Sequence, residues 1–117
     1  MTETIMLLGS NSFAGSNFTD YLLNKKMKVI GISRSKEINN IFFKYKNNKL
    51  YKKNYSFHQI DINKNVKKII YLVKKYNIKY IINFTSLGMV AESWLRPWDW
   101  YNTNVVAFSK LIHGLKD

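Results

Sequence analysis

The sequence has no cysteine, one proline and five glycines in 117 residues. Without cysteine there is no disulfide framework and no thiolate metal site. Long apolar runs are missing as well, and none approaches the ~20 residues a membrane-spanning helix needs. The N-terminus lacks the features of a signal peptide, because Glu3 is acidic and the apolar run Ile5–Leu8 is too brief for an h-region. Linkers, internal repeats and low-complexity tails are absent too. Arginine is scarce, with Arg34 and Arg96 alone, so the formal charge of +12 is almost all lysine. These absences leave one soluble domain at most, residues 1–117, with a modest core, and a cytoplasmic setting with no membrane association is the plain expectation.

The positive charge raises the question of nucleic acid. Its densest cluster, Lys44 to Lys53, interleaves aromatics with cations as single-strand binders do. The chain is also crowded with Asn, Ile and Tyr, a pattern produced by AT-rich coding, which places lysine on every solvated face. The cluster therefore reads as a solvated connecting segment rather than a nucleic-acid patch.

What is present is an alternation of strand and helix patterns. Ile5–Leu8, Met27–Ser33, Tyr55–Ile60 and Ile78–Phe84 read as strands. Gly15–Asn24 reads as a helix burying Phe18, Leu22 and Leu23. Another follows Asp61 or Asn63 as cap, with Val66, Ile69, Ile70 and Val73 at i, i+3, i+4, i+7. Residues 36–54 are less regular, with one poor helix (Ile38, Ile41, Phe42, Tyr45), and Pro97–Lys116 contains a final helix. Strands alternating with helices require right-handed crossovers, so the fold class is α/β, a Rossmann-type parallel sheet with helices on both faces. The expected strand order is 3-2-1-4, ending after the fourth strand and helix, with strand four an exposed edge.

The richest motif is Leu8-Gly9-Ser10-Asn11-Ser12-Phe13-Ala14-Gly15, between the first strand and the first helix. A strand, a tight small-residue turn and a helix N-terminus can present backbone N–H groups to a pyrophosphate. Gly9 makes the turn and Gly15 permits close packing of the helix. Ser12 stands where a further glycine would admit the pyrophosphate, and its hydroxyl could bond a phosphate oxygen. An ordinary ligand-free turn reads equally well from this motif alone.

With its other motifs the chain resembles the extended short-chain dehydrogenase/reductase family of NAD-dependent epimerases and dehydratases. The residues Leu8 to Ser16 resemble the family's T-G-x-x-G-F-I-G-S, Asp61-Ile62 its pair after strand three, and Thr103-Asn104-Val105-Val106-Ala107 its T-N-V-x-G-T helix. The stretch Asn83 to Phe108 is similar, without gaps, to the 4,6-dehydratase pattern, most like the dTDP-glucose group, with the GDP-mannose group next. The resemblance implies that Gly9, Ser12, Phe13 and Gly15 line a pyrophosphate, and that Asp61 and Ile62 meet adenine. It further places Phe84, Thr85 and Ser86 near the nicotinamide ribose, with Asn104 supporting the active-site region. Met89, Val90 and Glu92 fall in the loop that faces the sugar nucleotide in related dehydratases. The intact enzyme would bind a nucleotide-sugar substrate and form a homodimer.

Cofactor choice turns on the tip of strand two. NAD sites commonly carry an acid there for the ribose 2′-OH. This chain has Ser33-Arg34-Ser35 and no carboxylate until Glu37. A guanidinium between two hydroxyls suits a 2′-phosphate, so NADP is slightly favoured over NAD, with stacking of Arg34 on adenine as the alternative. The nearby Trp94, Trp98 and Trp100 are expected to close the core beneath their loop rather than stack on a ligand. His58 and His113 have no metal-ligand spacing, and no G-x-S-x-G elbow surrounds Ser86.

The family's catalytic Tyr-x-x-x-Lys, on a helix after strand five, has no counterpart. The spacings Tyr45-Lys49 and Tyr71-Lys75 precede strand four and carry no catalytic weight. Two readings follow. In the first, the chain is the cofactor-binding part of a nucleotide-sugar 4,6-dehydratase, which oxidises the sugar at C4 by hydride transfer and eliminates water across C5–C6. A related epimerase or dehydratase is the variant of that reading. In the second, it is a non-enzymatic module for a nucleotide or RNA.

Overall fold

The computed structural model describes residues 3–37, 43–85 and 93–116. Four strands form one parallel sheet: β1 (Thr4–Leu8), β2 (Lys28–Ser33), β3 (Tyr55–Gln59) and β4 (Tyr80–Asn83). Their order is β3-β2-β1-β4, as the alternating pattern requires. Between them lie α1 (Phe13–Asn24), a 3-10 turn (Lys44–Asn47), the single turn α2 (Tyr51–Asn54) and α3 (Val66–Lys75). The last helical stretch has three parts: α4 (Pro97–Tyr101), a π-helical segment (Asn102–Ala107) and α5 (Phe108–Gly114).

Alternation along β1 explains why both faces are covered. Met6 and Leu8 face one core, with Ile30, Ile32, Ile69, Leu72 and Leu111. Ile5 and Leu7 face the other, with Leu22, Leu23, Val29, Phe43 and Tyr45. Successive strand residues point to opposite faces, so a strand apolar at every position needs a layer on each side. The helices α3 and α5 supply one layer. The other comes from α1 and an aromatic cluster in which Tyr45 stacks 5.4 Å from Phe43 and lies 4.8 Å from Tyr55.

The register brings all four strands to a common C-terminal end. Leu8 is level with Ile32 and Asn83, and Ser33 with Gln59. The pairing carries on one residue past that line, as Gly9 N–H donates to Ile32 O at 2.7 Å and Phe84 N–H to Leu8 O at 2.8 Å.

Two expectations, on the cap of α3 and on the tryptophans, are corrected. The cap of α3 is Asn65, whose side chain accepts from Lys68 N–H at 3.2 Å, because Asp61 instead closes an Asx turn, accepting from Asn63 N–H at 2.9 Å. The final helix is interrupted by its π segment, which widens the backbone path ahead of α5. In the irregular region only the turn at Lys44–Asn47 and α2 form among the described residues; Ile38, Ile41 and Phe42 lie outside them. The tryptophans do not close a core. Trp94 is 83% exposed and Trp98 55%, the latter beneath the guanidinium of Arg96, which also pairs with Asp99 at 3.0 Å.

Among the described residues β4 pairs with β1 alone, and its Tyr80 is more than half exposed. Among the described residues, no helix is long and apolar enough to cross a membrane.

Candidate functional site

A cleft of about 270 Å³ opens at the C-terminal ends of the strands. Its apolar walls are Leu8, Ile32, Ile60 and Ile62, and its polar rim includes Asn11, Ser33, Arg34, Ser35, Asp61 and Thr103. Ligands of open parallel sheets bind in this place, where the crossover direction changes; here that point lies between β1 and β4.

Two glycines fix the loop that forms one lip. Gly9 has φ +80°, which disfavours any side chain, and a Cβ there would meet Phe84 C at 2.7 Å and Thr85 N at 2.9 Å. At Gly15 a Cβ would overlap the carbonyl oxygen of Gly9. The start of α1 is thereby pressed onto the turn after β1. Ser12 is the N-cap: its hydroxyl donates to Gly9 O at 2.8 Å and accepts from Gly15 N–H at 3.0 Å. In this structure that hydroxyl is engaged within the protein on both sides.

Opposite this lip, the turn after β3 is tied to the π segment, as Asn63 Nδ2 donates to Thr103 Oγ1 at 2.9 Å. A wider recess of about 960 Å³ continues from the cleft past Arg34, Asp61 and Asn63 to Arg96, Trp100 and Lys110. Thr85 N–H donates to Asn83 Oδ1 at 2.8 Å, shaping the exit of β4 along the cleft.

Of the residues expected at a site, Gly9, Ser12, Arg34, Asp61, Ile62, Phe84 and Thr85 line the cleft together. Gly15 lies buried beneath the loop. Phe13 opens α1 but is 88% exposed and outside the cleft lining, as is Asn104 on the π segment. Ser86, Met89, Val90 and Glu92 lie outside the described residues.

Sequence reasoning missed Asn11, Asn63 and Thr103 as lining residues. The signal for Asn11 was its place in the small-residue loop. The other two are joined across 40 positions, which no local pattern reveals.

The helix-opening loop admits no Cβ at two positions, and beside it the cleft has apolar walls and Arg34 in its lining. Fold and site together define an α/β protein of the Rossmann class.

The family model described as GDP-mannose 4,6 dehydratase matches residues 6–117, and the chain belongs to this family, within the extended short-chain dehydrogenase/reductases. A UDP-glucuronate 4-epimerase from Thermodesulfobacterium geofontis is 26% identical over 114 residues, covering 96% of this chain and 35% of the relative. Among solved structures, the UDP-glucose 4-epimerase of Stenotrophomonas maltophila, with bound NAD and formylated UDP-arabinopyranose, superposes with a TM-score of 0.82 at 17% identity. That match covers 97% of this chain and 33% of the other. The dTDP-glucose 4,6-dehydratase of Bacillus anthracis, in complex with NAD, gives 0.75 at 24% identity, over 98% of this chain and 34% of the other. The chain thus spans about a third of the length of these relatives.

Proposed function

We propose that this chain is the dinucleotide-binding part of a nucleotide-sugar 4,6-dehydratase and that its cleft takes the adenosine half of NADP. The observation that carries the reading is the convergence of Gly9, Arg34, Asp61, Ile62 and Phe84 on one cleft at the strand ends. In this reading the apolar slot takes the adenine beside Asp61 and Ile62, and the loop after β1 takes the pyrophosphate. Bound nicotinamide would supply hydride chemistry at the sugar. Nucleotide-sugar binding and homodimer formation belong to the whole enzyme.

The preference for NADP is supported by the surroundings of Arg34. The first carboxylate after β2, Glu37, is outside the cleft lining and accepts a hydrogen bond from the Tyr45 hydroxyl. No acid between β2 and β3 is thereby offered to a ribose diol, while Arg34 lines the cleft. The dehydratase assignment rests on the family model and on the resemblance of Asn83 to Phe108. Epimerisation is the second reading, favoured by the UDP-glucuronate 4-epimerase relative.

Fluorescence titration of the chain with NADPH and NADH tests the proposal. Saturable NADPH binding is expected, weakened in Asp61→Ala for both cofactors and in Arg34→Ala for NADPH alone. Absence of dinucleotide binding with salt-sensitive RNA binding would overturn it in favour of a non-enzymatic nucleic-acid module.

A further inference from the structure

Tyr71 stands at the centre of a cationic helix face. On a helix, residues three and four apart are neighbours, and those positions about Tyr71 are Lys67, Lys68, Lys74 and Lys75. All of these side chains are exposed, the tyrosine ring by more than half. The Lys75 ammonium lies 5.9 Å from the centre of that ring and 5.3 Å from the ring of Tyr76, which is also exposed. The carboxylates that ordinarily alternate with lysine on a solvated helix are missing. There is none in α3, and none in the chain from Asn63 to Ala91. None of these lysines is ion-paired among the described residues, where Asp20 and Asp99 are taken by Lys44 and Arg96. A bias in composition fixes how much lysine the chain carries, not that lysines surround one exposed ring with no acid among them.

The chain enters α3 from the turn after β3, beside the cleft, and leaves it toward the start of β4. Tyr71, Lys75 and Tyr76 therefore lie toward the end of the sheet opposite the cleft. A membrane needs apolar side chains to insert, and those of α3, Ile69 and Leu72, are buried against the sheet. An acidic protein surface would use the ammonium groups but not the rings. Single-stranded nucleic acid uses both, setting phosphates against lysine and unpaired bases on ring faces. From this arrangement we infer that the outer face of α3 binds single-stranded nucleic acid, with the Tyr71 ring as a stacking platform and the four surrounding lysines as phosphate contacts. The inference stands apart from the cofactor reading, because face and cleft are different places on the sheet.

Fluorescence anisotropy with a labelled oligouridylate tests this on the wild-type chain and on variants at exposed positions. Binding is expected in low salt, weakening as salt rises and unchanged by saturating NADPH. Lys68→Gln combined with Lys75→Gln should flatten the slope of log affinity against log salt by about 1.4, at ~0.7 per phosphate contact. Tyr71→Ala should weaken binding about fivefold or more, and Tyr71→Phe little, as stacking on a ring requires. Lys52→Gln combined with Lys53→Gln removes the same charge from exposed positions off the face, and should change the slope less. Equal flattening by the two pairs would reduce the binding to net charge and overturn the inference. Displacement of the oligouridylate by NADPH would move it to the cleft and overturn the inference too. Equal affinity for polyglutamate or for phosphatidylserine vesicles would reassign the face to an acidic protein or a membrane, against the inference. An oligouridylate that does not bind at all overturns it outright.

Discussion

Tyr45 donates its phenolic proton to the carboxylate of Glu37, and this contact draws the first acid after β2 away from the cleft. The Tyr45 ring is fully buried between Phe43 and Tyr55. Burial, together with the neighbouring Tyr55 and the bond to Glu37, pushes its hydroxyl far above the ordinary phenol range, so it remains a donor at every pH the fold survives. Replacing Tyr45 with Phe keeps the stacking and leaves Glu37 without this donor. The expected cost is about 1.5 kcal/mol, at the low end for a hydrogen bond to a charged group because Glu37 is only half-buried. Urea unfolding measures it. An unchanged midpoint would mean that the contact contributes nothing to holding the loop.

The two cleft glycines give a sharper test. A methyl group at Gly15 meets the Gly9 carbonyl oxygen, which belongs to backbone already fixed by the Ser12 hydroxyl. Neither group can yield without moving the start of α1 off the sheet. Gly15→Ala should therefore lower stability by about 1–3 kcal/mol, the usual range for overpacking a tight site, and weaken dinucleotide binding as well. Thermal unfolding followed by circular dichroism, with NADPH titration of the folded fraction, checks both outcomes. A variant as stable as wild type would show that the loop is looser than its contacts imply.

Much of the architecture was legible because it depends on local patterns. The fully apolar stretch of β1 announces a strand covered on both faces, and the alternation of elements leads to the 3-2-1-4 order. The cleft was legible in part, since Gly9, Asp61 and Phe84 sit where motifs place them, at strand ends. The cap of α3 was not, because Asp61, Asn63 and Asn65 are all capable caps, and Asp61 closes an Asx turn while Asn65 caps the helix. Nor were the contacts of Asn11, whose partners lie across the sheet on another loop. The tryptophans misled because large aromatics usually carry burial; Trp98 instead lies under Arg96 at the surface.

Lys26 follows α1 with φ +62°, in the left-handed region, where a side chain with a Cβ is strained. Its N–H donates to Leu23 O at 2.9 Å, an arrangement that glycine commonly occupies at helix ends. Lys26→Gly should raise stability by a few tenths to about 1 kcal/mol, the relief of strain being partly offset by the greater freedom of glycine in the unfolded chain. Lys26→Ala, which keeps the Cβ and removes the charge, is expected to give no such gain. A rise in melting temperature with alanine equal to that with glycine would assign the effect to the lysine charge in this basic chain rather than to backbone conformation.

His58, next to the last residue of β3, links stability to pH. Burial, and then the charges of Lys68 and Lys75, lower its pKa from the ordinary imidazole value of about 6.5. The folded protein therefore resists protonation at a pH where the unfolded chain accepts the proton. Stability rises with pH wherever the unfolded state binds more protons. The contribution of His58 is thus intact above the unfolded pKa, is lost as pH falls from there through the folded pKa, and stays constant below it. Urea midpoints measured across this window should fall on acidification in the wild type and fall less in His58→Gln, which cannot titrate. The comparison between the two proteins isolates His58 from the carboxylates, which titrate at lower pH. Lys68→Ala and Lys75→Ala should each shallow the wild-type slope by removing a positive neighbour, whereas a slope unchanged in His58→Gln would assign the pH dependence to other groups.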